Sequence, residues 1–201
     1  MRSGFVTFVG RPNVGKSTLV NAICGKKVSI VSNKPQTTRT RVRGVYHGDD
    51  AQIVFVDTPG IHKPVTALGE RVNATALDSI NDVEVVCLII DATKPFGRGD
   101  QWVANNVDMS DAFVVINKID RARPETVLEQ LKAVSGLGAR EYFPVSASTG
   151  EGLDVLLAAL LGVGDLGQAQ HQPALEFAEV LGLAELAVAV EVHACELQLA
   201  A

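Results

Sequence analysis

Residues 5–18 read Phe5-Val6-Thr7-Phe8-Val9-Gly10-Arg11-Pro12-Asn13-Val14-Gly15-Lys16-Ser17-Thr18. A run of strand length is stopped by Gly10, and a stretch of helical length follows from Ser17 to Cys24. The loop between them fits G-x-x-x-x-G-K-[ST]. Glycines in such a loop let backbone N–H groups turn inward onto phosphate oxygens, Lys16 brings a positive charge to the β- and γ-phosphates, and the Ser17 hydroxyl is suited to ligate Mg²⁺. The helix that follows points the positive end of its dipole at the same anions. A plain glycine turn is the competing reading; the strand before and the helix after favour a phosphate loop. Asn13, Val14, Gly15, Lys16, Ser17 and Thr18 are its candidate nucleotide contacts.

Working outward, short apolar runs alternate with longer stretches of helical length. Phe5–Val9, Ile53–Val56, Val85–Ile90, Phe113–Ile116 and Glu141–Val145 are strand length; Ser17–Cys24, Ala67–Ile80, Pro124–Val134 and Gly152–Leu161 are helix length. Strands alternating with helices imply βαβ units and a largely parallel sheet. The uninterrupted apolar character of Val85–Ile90 suits a parallel strand covered on both faces. The expected fold is therefore α/β: a P-loop NTPase three-layer sandwich, with a mostly parallel six-stranded sheet and helices on both faces. Ligands in such sheets bind beyond the carboxyl ends of the strands, so the residues just past each run are candidates.

Three further strings stand at such ends. Asp57-Thr58-Pro59-Gly60 follows Ile53–Val56. An acid beside a phosphate loop can hold a magnesium-bound water, and Gly60 permits a backbone N–H to approach the γ-phosphate. Alone, this string reads equally as a turn. Asn117-Lys118-Ile119-Asp120 follows Phe113–Ile116. A carboxylate at Asp120 can accept from the N1–H and the N2 amino group of guanine, whereas adenine offers neither donor in that arrangement. Asn117 and the Lys118 stem would brace the loop and cover the base. Ser146-Ala147 closes the last strand, where the Ala147 N–H is a candidate donor to guanine O6. Each string is weak alone; the four together, each at a strand end and in this order, are strong.

These residues resemble the Ras-type superclass of P-loop GTPases and, within it, the bacterial Era family, over about residues 3–161. Residues 10–17 look like that group's first guanine-nucleotide motif, Pro35-Gln36-Thr37-Thr38-Arg39 its switch I, and Asp57-Thr58-Pro59-Gly60-Ile61-His62 its switch II. Asn117-Lys118-Ile119-Asp120 resembles its base motif and Ser146-Ala147 its fifth motif. The resemblance implies GTP/GDP and Mg²⁺ as ligands, with GTP hydrolysed to GDP and phosphate. It implies Ser17, Asp57 and one of Thr37 or Thr38 at the metal, Thr38 favoured because it directly precedes Arg39. Lys16, Thr38 and Gly60 are then the residues closest to the chemistry. Ile61 stands where Ras-type enzymes carry the glutamine that orients water, and isoleucine has no donor or acceptor. Slow hydrolysis without a partner follows. Some related GTPases recruit K⁺ through an asparagine at the Asn13 position; a loop-internal hydrogen bond is the equal alternative for that side chain.

Composition bounds the rest. The 201 residues are 47% apolar and 20% charged, which excludes a disordered chain. Cys24, Cys87 and Cys195 form no CxxC pair, so a disulfide framework or zinc knuckle is not expected. No run reaches the roughly 20 apolar residues of a membrane span. A cytoplasmic setting is expected, and the resemblance adds peripheral association with the inner membrane face; a monomer is expected. All 18 Lys and Arg fall in residues 1–164 with 17 Asp and Glu, a net +1; residues 165–201 hold six acids and no Lys or Arg, a net −6. That shift, after a glycine-dense stretch, places a boundary near Gly164. Residues 1–164 are expected to be the GTPase domain and 165–201 an acidic Ala/Leu/Val-rich tail. Leu175–Leu186 suits an amphipathic helix, whereas Leu186 to Val192 alternates like a strand.

The family resemblance further implies a role in 16S rRNA processing and 30S subunit assembly. Era proteins continue into an RNA-clamping KH domain with a GxxG loop, and residues 165–201 contain no GxxG. Acidic character repels phosphates. The alternative is a nucleotide-binding GTPase domain without RNA binding. Lys34, Arg39, Arg41 and Arg43 offer a basic stretch that reads more readily as a solvated loop than as an RNA contact.

Overall fold

The six apolar residues Val85–Ile90 become β4 (Val85–Asp91), the middle of a sheet. Successive side chains of a strand point to opposite faces. Val85, Cys87 and Ile89 accordingly enter one core, and Leu88 and Ile90 enter the core on the other side. Phe113–Asn117, which forms β5, is likewise buried at every position. These continuous apolar runs are the signature of a sheet covered on both faces.

This computed structural model describes residues 2–25, 42–48, 51–57 and 83–163. Within them β1 (Arg2–Val9), β2 (Val42–His47), β3 (Ala51–Asp57), β4, β5 and β6 (Glu141–Val145) lie in the order β2-β3-β1-β4-β5-β6. All neighbours run parallel except β2 and β3, which are antiparallel. The helices are α1 (Lys16–Cys24), α2 (Arg98–Ala104), α3 (Pro124–Ser135) and α4 (Leu153–Gly162). Leu19, Val20 and Ile23 of α1 share a core with Leu156 and Leu160 of α4. Val103 of α2 shares the opposite core with Val127 and Val134 of α3. The mostly parallel six-stranded sheet with helices on both faces is thus the α/β sandwich expected.

Local chemistry sets the boundaries. α3 opens on Pro124, whose fixed φ and missing N–H suit a first helical position. Pro144 lies in β6, which among the described residues pairs with β5 alone, an edge position at which proline is tolerated. β1 begins at Arg2 rather than Phe5 because Arg2, Ser3 and Gly4 pair with Ala51, Gln52 and Ile53. Two elements were not anticipated. β2 is an edge strand whose apolar residues Val42, Val45 and Tyr46 are interrupted by Arg43 and Gly44, and α2 spans only two turns. The expected helix Ala67–Ile80 and the 165–201 segment fall outside the described residues.

The order places a switch point between β1 and β4. The helix after β1 packs on one face, and the helix after β4 packs on the other. Ligands bind in the crevice that such a divergence opens.

Candidate functional site

The phosphate loop is shaped by backbone conformations that few residues accept. Gly10 has φ +152°, and a Cβ there would lie 2.4 Å from the carbonyl oxygen of Ile89. Gly15 has φ +103°, and its Cβ would meet Asn117 Nδ2 at 2.3 Å. Only glycine meets both demands at each position. Asn13 adopts the left-handed region at φ +66°, which asparagine tolerates better than most residues. Lys16 is 6% exposed, and its Nζ donates to the carbonyls of Gly10 at 3.0 Å and Arg11 at 3.1 Å. The loop thus wraps its own lysine, holding a cation beneath the N-terminus of α1.

The neighbouring loops are tied to this one by side chains. Asn117, 1% exposed at the end of β5, donates from Nδ2 to Val14 O at 2.9 Å. Its Oδ1 accepts from the Lys118 N–H at 2.8 Å and the Ala147 N–H at 3.0 Å. One amide therefore joins the loops after β1, β5 and β6. Lys118, at φ +70°, extends Nζ to Asn13 O and to Asp91 Oδ2, both at 2.6 Å. Burial alone would raise the Asp91 carboxyl, but hydrogen bonds from Lys118 and Thr93 hold it below its ordinary value.

Asp120 stands in the short 3₁₀ turn Ile119–Arg121. Ser146 Oγ donates to its Oδ1 at 2.7 Å, and Ser148 Oγ donates to its Oδ2 at 3.0 Å. The Ser146 bond chiefly holds this carboxyl below the ordinary range, with Ser148 and Arg121 adding to it. An ionised carboxylate is acceptor-only and has about four lone-pair positions. Two are met by the serines, which fixes the carboxylate plane and leaves acceptors for two parallel donors. That is the pattern of the N1–H and N2 amino edge of guanine. The Ala147 N–H, expected to serve guanine O6, donates to Asn117 Oδ1; an O6 acceptor would share that amide.

The sequence profile of the 50S ribosome-binding GTPase family matches residues 5–118. The chain belongs to that family. The chain is 48% identical over 167 residues to the GTPase Era of Mycobacterium sp. (strain KMS), covering 80% of this chain and 56% of the relative. GTPase Era of Clostridium botulinum (strain Alaska E43 / Type E3) is 48% identical over 159 residues, with 78% and 54% covered. Among solved structures, Era in complex with MgGDPNP and nucleotides 1506-1542 of 16S ribosomal RNA superposes with a TM-score of 0.76 at 38% identity, covering 86% of this chain and 59% of that one. A point variant of Aquifex aeolicus Era bound to GDP and AlF4⁻ gives 0.75 at 35%, covering 90% and 65%. The chain therefore spans a little over half the length of the curated relatives it matches.

In this GTPase-family chain the structure gathers Asn13, Val14, Gly15, Lys16, Ser17, Thr18, Asn117, Lys118, Asp120, Ser146 and Ala147 at one end of the sheet. Asp57 ends β3, where its backbone pairs with Phe8 two residues before Gly10. Thr37, Thr38, Gly60 and Ile61 lie outside the described residues. Sequence reading missed Asp91 and Ser148. Asp91 is the polar residue immediately past Val85–Ile90, so inspecting every strand end would have found it. Ser148 carries no such signal, since it gains meaning only when β6 brings it to Asp120.

Proposed function

We propose that this chain binds GTP and GDP with Mg²⁺ and hydrolyses GTP to GDP and phosphate. The observation that carries the base assignment is Asp120, ionised and oriented by Ser146 and Ser148. Guanine offers this acceptor two donors, whereas adenine would leave it facing none. The phosphates fall to the loop amides and Lys16, whose Nζ exchanges loop carbonyls for phosphate oxygens.

The donor set fits Mg²⁺. Ser17 opens α1 beside Lys16, Asp57 ends the adjacent β3, and both are hard oxygen ligands. Mg²⁺ is ordinarily held by one or two protein oxygens with phosphates and water. When bound, the ion neutralises charge on the transferred phosphoryl group. The chain's own part is to orient the phosphates, exclude adenine and supply the Lys16 charge. Ile61 offers no group to orient water, so turnover is slow. Asn13 is the residue at which K⁺ would be recruited.

The Era relative seen with 16S rRNA supports a role for this domain in small-subunit assembly, with residues 1–164 as the nucleotide-binding unit. The test is phosphate release from GTP and from ATP with Mg²⁺, in K⁺ and in Na⁺. GTP-selective release, faster in K⁺, is expected. Equal use of ATP would contradict the Asp120 assignment.

A further inference from the structure

Arg11 lies inside the phosphate loop, yet its side chain is committed elsewhere. Its Nε donates to Asp100 Oδ1 at 2.7 Å, and Asp100 is 2% exposed. The other Asp100 oxygen accepts the Gly97 N–H at 3.1 Å, so the carboxylate is fixed at the start of α2. The Arg11 stem lies on Gly99, where a Cβ would stand 2.7 Å from Arg11 Cδ. α2 is itself held. Gln130 of α3, 5% exposed, accepts the Phe96 N–H at 3.1 Å and donates to Lys94 O at 2.8 Å. Val103 and Ala104 complete the anchor in the core.

The same Arg11 presents its main-chain carbonyl to Lys16 Nζ. One residue therefore couples α2, on one face of the sheet, to the lysine at the head of α1, on the other. We propose that Asp100, acting through Arg11, is a positioning residue that sets the phosphate loop for nucleotide. The proposal rests on the nucleotide-binding reading above. An ion pair of this kind on a remote surface would contribute little. Here one partner is buried and the other belongs to the loop, so its loss shifts the carbonyl that holds Lys16.

The coupling acts on the loop before and during reaction alike, which is uniform binding, and uniform binding changes KM rather than kcat. The test uses the full chain, with GDP binding by calorimetry, GTP turnover and thermal unfolding without nucleotide. Asp100→Asn keeps the shape and the Gly97 bond but removes the charge. It is expected to weaken GDP binding and raise KM for GTP by about 10-fold, the worth of one charged hydrogen bond, with kcat within about 2-fold. Arg11→Lys retains the charge and is expected to lose only about 3-fold; it also serves if Asp100→Asn does not fold. Lower thermal stability with unchanged GDP affinity and KM would overturn the positioning role. A parent chain that failed to bind GDP would overturn the nucleotide reading itself.

Discussion

The two ends of the site are built differently. The phosphate end is main chain: Gly10, Asn13 and Gly15 at positive φ, with two loop carbonyls around Lys16. The base end is side chain: Asn117, Lys118, Asp120, Ser146 and Ser148 in a bonded set. Main-chain amides see only negative charge, which every nucleoside triphosphate carries. Choice among bases requires side chains with a fixed protonation state and direction. Affinity should therefore fail at the first end, and selectivity at the second.

The largest effect is expected at Lys16. Lys16→Ala removes the charge proposed to meet phosphate, and Lys16 belongs to neither apolar core. Binding of GTP should fall by about 100-fold or more, as when one partner of a buried charge pair is truncated. Calorimetric titration measures it, and circular dichroism should show the fold retained. Near-parental GTP affinity would remove the phosphate end from the account.

Asn117→Ala should damage both ends at once, because one amide bridges Val14, Lys118 and Ala147. Three hydrogen bonds, two of them buried, at about 1 kcal/mol each predict a stability loss of about 2–4 kcal/mol in denaturant unfolding. GDP affinity should fall with it. A loss of base selectivity with full stability would instead separate the two ends.

Asp91→Asn should be milder and dependent on pH. The Asp91 carboxyl is lowered from its ordinary value of 3.8, so the folded state favours the ionised form. Its stabilisation is fully present above that ordinary value and is lost as pH falls through the lowered folded value. The variant should unfold about 1–3 kcal/mol more easily at neutral pH. The gap between parent and variant should hold from pH 7 to 5 and shrink below about 4. A gap independent of pH would mean that shape rather than the Lys118 ion pair is at stake.

The contiguous strings were legible in the sequence. Gly10 to Thr18, Asn117 to Asp120 and Ser146-Ala147 each place several chemically constrained residues side by side, and the strands before them are plain apolar runs. What was not legible depends on distant partners. Gly15 reads as a loop glycine, but its second reason is Asn117, far along the chain and within reach of its Cβ. Ser148 and Asp100 are single polar residues whose partners, Asp120 and Arg11, become neighbours only through β6 and α2. β2 is not legible because Arg43 and Gly44 break its apolar pattern, which an edge strand tolerates better than a buried one. Asp91 differs from these, since its place at the end of an apolar run is visible in the sequence.

The base end is tested most directly at Asp120. Asp120→Asn exchanges an ionised acceptor for an amide that offers a donor, which complements xanthine rather than guanine. Competitive titration of the variant with GDP and xanthosine diphosphate measures the exchange. GDP affinity is expected to fall at least about 10-fold while xanthosine diphosphate affinity rises above that of the parent. A variant that binds GDP as tightly as the parent, with no gain for xanthosine diphosphate, would contradict it.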